Sequence, residues 1–127
     1  MSSEYICISI FQTNKNGVVF YDSEHMKKSD ILTIENKIDF EKNGYKKVLE
    51  LSFLNNDEWK DQEILEDIYI SLNQDFKPAD FTGHSLSVSD IITIEDRHYM
   101  CDCIGFTRVY KADQQRSKKI MDKYQER

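Results

Sequence analysis

Four apolar residues, Ile64, Leu65, Ile68 and Leu72, recur at helical spacing within residues 57–73, the clearest helix in the chain. A helix with one apolar stripe must lay that stripe on another element. The other apolar stretches are short, β-branched and aromatic, which is strand chemistry. Residues 4–12 read as a first strand, central because both of its faces are largely apolar. Tyr45 to Phe53 reads as a second long strand. Residues 84–95 alternate, with Ser85, Ser87 and Ser89 on one side and Leu86 and Val88 on the other, as in a half-buried strand. Asp90 makes a corner, and Ile91 to Ile94 continue as a more buried strand. Asp96-Arg97 is a two-residue hairpin connection, residues 98–104 pair back, Gly105 permits a bend, and Thr107 to Tyr110 extend the sheet. The expected fold is α+β: a small, curved, mostly antiparallel sheet with one main packed helix and a basic C-terminal helix over residues 113–126.

The remaining segments give weaker signals. Asn14 to Gly17 is turn chemistry and Val18 to Tyr21 a short extended piece. Residues 22–44 read least well: Ser29-Asp30 suits the opening of a short helix or turn, and Asn43-Gly44 a turn. Asn55 or Asn56 can cap the 57–73 helix, Asp57 and Glu58 suit its positive end, and Asn73 can end it. Asp61, Glu63 and Glu66 lie on its polar side, which predicts an acidic rim able to meet a basic partner.

A chain of 127 residues fits one domain, with a real core. At 39% hydrophobic and 31% charged, the composition is globular and rather polar. No apolar run approaches the roughly 18 residues of a membrane span, and the first residues lack a basic-then-apolar signal. Three cysteines, Cys7, Cys101 and Cys103, make a poor disulfide framework, so reduced thiols and a cytoplasmic location are expected. Charge is split: residues 1–107 carry 20 acidic and 10 basic side chains, residues 108–127 three and seven. The acidic body repels nucleic acid and attracts basic surfaces, so direct nucleic-acid binding is not expected.

The densest polar cluster is Asp80, His84, Ser85, Asp90, His98, Cys101, Asp102 and Cys103. Metal ligation wants converging soft or imidazole ligands, and Cys-x-Cys beside one histidine does not meet that pattern. Strand alternation also turns Cys101 and Cys103 away from His98 and Asp102. Gly83-His84-Ser85 lacks the elbow context of a serine hydrolase, and adjacent His84 and Ser85 point to opposite faces. No glycine-rich phosphate loop exists among four scattered glycines. No cofactor is implied. The rival reading is a small hydrolase or metal-dependent enzyme, with His84, Asp80 and Asp102 as acid–base groups and Cys101 or Cys103 as nucleophile.

The run Phe76-Lys77-Pro78-Ala79-Asp80-Phe81-Thr82-Gly83-His84-Ser85-Leu86-Ser87-Val88-Ser89-Asp90-Ile91-Ile92 resembles the signature of the YodL-like domain family of Gram-positive bacteria and their mobile elements. Tyr99, Asp102 and Gly105-Phe106 continue it, and Ile68, Tyr69, Leu72, Asn73 and Phe11-Gln12 fit as well. Residues 57–109 match well, residues 4–12 loosely, and Asp22–Gly44 reads as insertion-like. The resemblance implies a small effector, phage or mobile-element associated, that inhibits or modulates a host protein without catalysis. It points to two targets: the bacterial actin that guides cell-wall elongation, or a CRISPR-type defence nuclease, the latter making the chain an anti-CRISPR candidate. Exposed aromatics near glycine are good anchors. The expected partner-binding residues are therefore His84, Tyr99, Asp102 and Phe106, with Asp61, Glu63 and Glu66 as rim.

Overall fold

The computed structural model describes residues 5–54, 59–73, 83 and 85–112. In chain order they form β1 (Tyr5–Gln12), α1 (Ser23–Lys28), β2 (Lys37–Ile38), β3 (Lys46–Leu54), α2 (Asp61–Leu72), β4 (Ile91–Ile94), β5 (Arg97–Cys101) and β6 (Phe106–Lys111). The strands make one six-stranded sheet in the order β2-β6-β5-β4-β1-β3. All its pairings are antiparallel except β2 with β6, so the sheet is mixed, and its two end strands do not meet. The expected terminal helix over residues 113–126 lies outside the described residues.

Both faces of the sheet are covered, which explains the unbroken apolar run Ile91–Ile94. On one face Ile8, Ile10, Ile92 and Ile94 pack under Ile64, Leu65, Ile68 and Leu72 of α2, as the helical stripe predicts. On the other, Ile91, Met100 and Val109 pack under Val18, Met26, Leu32, Ile38, Phe40 and Tyr45. The segment from Val18 to Tyr45 is thus the second layer of the domain and not an insertion. Its helix α1 starts at Asp22, whose carboxylate accepts from His25 N at 2.8 Å, and is anchored by Met26, 0% exposed.

Several local expectations change. Val18 to Tyr21 is not extended: Val18 N and Val19 N both donate to Lys15 O, and Tyr21 N donates to Val18 O, winding the segment into turns that bury Val18. Ser29-Asp30 is a turn, one of the two readings, but it closes α1 and opens no helix, with Asp30 at φ 61. The hairpin turn is Glu95-Asp96, one residue early, and Arg97 already pairs with Ile94. α2 is preceded by Lys60, whose N–H donates to Glu63 at 3.3 Å, while the expected caps Asn55 and Asn56 lie outside the described residues. β5 ends at Cys101, short of the expected residue 104.

The largest change falls on Ser85–Ser89, which is a loop and not a strand. Asn73, just past α2, clamps it: its side-chain oxygen accepts from Leu86 N at 2.6 Å and its amide donates to Leu86 O at 3.2 Å. Leu86 then drops into the α2-side core. Ser89, at φ 86, is fully buried: its hydroxyl accepts from Phe20 N at 3.0 Å and its carbonyl from the Tyr45 hydroxyl at 2.6 Å. Asp90 Oδ2 accepts from Gln12 Nε2 at 3.0 Å and Ser87 N at 2.9 Å, and Asp90 O accepts from Cys101 N at 2.7 Å. The buried serine and aspartate are tolerable because these partners replace water. One loop therefore fastens β1, β5, α2 and the second layer together.

Candidate functional site

α2 leans across the sheet toward the turn between β5 and β6. Between them runs an open groove of about 370 Å³, lined by Glu66, Tyr69 and Ile70 of the helix and Asp102, Cys103, Gly105 and Phe106 of the turn and β6. At 100° per residue, Glu66, Tyr69 and Ile70 share a flank of α2 beside its core stripe. Tyr69 and Phe106 meet edge to face at 6.2 Å and form the floor. Ile70, 60% exposed, stands on the helix lip, and Ile104, 93% exposed, at the tip of the turn.

Asp102 builds the turn wall. Its carboxylate accepts from Ser23 N at 3.1 Å, Ser23 Oγ at 2.5 Å, Thr107 Oγ1 at 2.5 Å and Cys103 N at 3.1 Å. Burial pushes its carboxyl up, but the bonds from Ser23, Thr107 and Cys103 outweigh burial and hold it below the ordinary range. Asp102 N donates to Gly105 O, and Gly105 takes φ 71, a conformation that glycine reaches without strain. The turn is therefore rigid and joined to the start of α1.

The rim is acidic. Glu66 is exposed and accepts from Gln62 at 2.9 Å. Asp22, next to α1, accepts from Cys103 Sγ at 3.2 Å. Among the described residues, no basic side chain lines the groove. Arg97 and Arg108 lie toward the start of α2, where Arg97 makes a two-pronged pair with Asp61 at 2.7 and 3.0 Å. Arg108 lies over the rings of Tyr99 and Tyr110, at 5.5 and 5.1 Å.

Of the expected site residues, the groove brings together Glu66, Asp102 and Phe106. Asp102 acts there through the backbone it holds. Asp61 is not part of a free acidic rim: it turns to the sheet, where Arg97 lowers its pKa and the Tyr99 hydroxyl donates to it. Tyr99 is half-buried in that contact, so it is not an exposed anchor. Glu63 is exposed, one turn before Glu66, and its carboxylate accepts from Lys60 N. His84 and Asp80 lie outside the described residues. The sequence reading missed Tyr69, Ile70 and Ile104. Ile70 carried a usable signal, as the one aliphatic residue of α2 off the core stripe.

The thiols are poorly set for nucleophilic work. Burial pushes Cys101 far up, and it is only 2% exposed. The Asp22 carboxylate pushes up the exposed Cys103, and burial raises Cys7. In thiol titration of the native protein at neutral pH, Cys103 is expected to label first, Cys7 more slowly, and Cys101 only after denaturant. Labelling of native Cys101 at the Cys103 rate would show that this core opens readily. Among the described residues, no group of three or more His, Cys, Asp or Glu side chains is placed to hold a metal ion. Nor is any described helix long and apolar enough to cross a membrane.

A family model described as the YodL-like domain matches residues 7–112, a span that includes the second layer as well as the signature run. No curated protein and no solved structure matches the chain.

Proposed function

The chain belongs to the YodL-like domain family, and from that premise we propose that it is a small, non-enzymatic, cytoplasmic protein that binds and modulates a host protein. The observation that carries this reading is the open groove lined by the exposed Ile70 beside an acidic rim, with the exposed Ile104 in the adjoining turn. Of the described groups that the enzyme reading would use, Cys101 is buried in the core and Asp102 holds the turn through four hydrogen bonds, which favours the binding reading. An association with phages or other mobile elements fits a compact effector of this kind.

Two host targets fit. One is the actin-like filament of cell-wall elongation. The other is a nucleic-acid-guided defence nuclease, whose basic groove an acidic protein of net charge −6 can occupy. Expression in a rod-shaped Gram-positive host separates them. Widened or rounded cells identify the filament, and restored plasmid transformation or phage infection in a defended strain identifies the nuclease. Ile104→Asp, at an exposed turn tip, should abolish either phenotype while leaving the thermal melt unchanged. Absence of both phenotypes in matched hosts would sink the reading. A phenotype that survives Ile104→Asp would move the contact away from the groove.

A further inference from the structure

We propose that the groove between α2 and the β5–β6 turn seats a basic amphipathic α-helix of the partner protein; this deepens, and rests on, the protein-binding reading above. The helix would lay its apolar side on Tyr69, Phe106, Ile70 and Ile104 and turn its cationic flank toward Glu66 and Asp22.

Three observations carry it. The first is exposed apolar surface. Ile70, 60% exposed, lines the groove beside its aromatic floor, and Ile104, 93% exposed, lies in the same turn between the lining residues Cys103 and Gly105. Exposed apolar side chains gathered in one place, with polar residues around them, mark contact surfaces. The second is charge. The described lining carries Glu66 and Asp102 and no cation, Asp22 lies just beyond Cys103, and the nearby Arg97 is matched by Asp61. Such a field favours a basic partner and disfavours an acidic one.

The third observation selects a helix over a strand. An extended peptide binds by adding its backbone to an open strand edge. Neither wall offers one. α2 satisfies its own backbone, Cys101 and Phe106 are paired to each other at the head of the turn, and Asp102 N closes on Gly105 O. A guest must therefore satisfy its own N–H and C=O groups, which a helix does internally. Because the four bonds to Asp102 hold the turn wall before binding, little ordering is left for the guest to impose.

The test uses the full chain and synthetic probes. One probe is an amphipathic peptide of about four helical turns, leucine on one face and lysine on the other. A second has glutamate in place of lysine, and a third is the lysine peptide with a central proline that breaks the helix. Binding is followed by fluorescence anisotropy and by amide NMR shifts. The lysine peptide is expected to bind, to weaken with added salt, and to shift amides at residues 66–70 and 102–106. Glu66→Lys and Ile104→Ser, both at exposed positions, should each weaken it about tenfold, roughly 1.4 kcal/mol. The glutamate and proline peptides should bind at least tenfold more weakly than the lysine peptide. Failure of the lysine peptide to bind, equal binding of the glutamate or proline peptide, shifts elsewhere, or undiminished binding by both variants would overturn the proposal. A photo-crosslinking residue at position 104 in the host keeps the two failures apart. A discrete protein adduct together with a negative peptide result removes the helix and leaves the protein-binding reading standing. No adduct and no cellular phenotype removes both.

Discussion

Asp90→Ala is expected to lower the unfolding free energy by about 2 to 4 kcal/mol in urea melts, through one buried and one partly buried donor left without their acceptor. Asp90 is 0% exposed, and its Oδ2 accepts from the Gln12 amide and the Ser87 N–H. Gln12 is itself buried, so water does not readily replace the lost carboxylate. The loss should appear as a drop of about 10 °C or more in the melting temperature. Because Asp90 O also holds Cys101 N, amide exchange at Cys101 should quicken with the same substitution. A variant that melts within a degree or two of the parent would show that the 85–90 loop does not join the layers. Ser89→Ala is the milder companion: it removes only the acceptor for Phe20 N and should cost about 1 to 2 kcal/mol.

Asp102→Ala is expected to cost about 2 to 3 kcal/mol and to weaken any groove-directed binding together with stability. Four donors lose one acceptor, but the site is half-buried, and water can rescue part of the loss. The pH dependence has a definite sign. The native carboxyl lies below its ordinary value of 3.8, so its stabilisation is fully present above that value. It is lost as pH falls below 3.8 and through the lower native value. Asp61 behaves alike, because Arg97 lowers it too. Acid titration of the parent should thus show stability falling below about pH 4, and Asp102→Ala should flatten part of that fall. An unchanged acid limb in the variant would show that Asp102 is not held in its charged form by the fold.

What the sequence disclosed depended on whether a residue's fate is decided by its neighbours in the chain. The stripe Ile64, Leu65, Ile68, Leu72 and the run Ile91–Ile94 are periodic or continuous, and the structure buries both as read. Ser85–Ser89 misled because its alternation is accidental. Its polar atoms answer to Asn73, Phe20 and Tyr45, all far away in sequence, and no local window contains them. Val18 looked extended because it is β-branched, yet packing against Met26 and Tyr45 decided its turn. At the groove, Glu66 was legible as part of the acidic side of a helix, and Asp102 and Phe106 as polar and aromatic residues near Gly105. Their convergence was not, because it depends on where α2 crosses the sheet. Tyr99 and Asp61 seemed free for the same reason: nothing in the chain order announces that they face each other and Arg97.

The place of β1 in the sheet also bears on the order in which the chain can fold as it is made. Ile8 pairs with Leu51 on one side and with Ile94 on the other. While synthesis has passed β3 but not reached β4, β1 has one partner, and its second edge and the apolar side chains of Ile8 and Ile10 lack their cover. Contacts this distant in sequence form slowly, and an unpaired central strand is a template for pairing between chains. Fragments ending before residue 94 should therefore aggregate or engage chaperones, whereas a ribosome-stalled chain with β4 and β5 clear of the exit tunnel should resist protease. The growing chain is at its most vulnerable over that middle third of its synthesis.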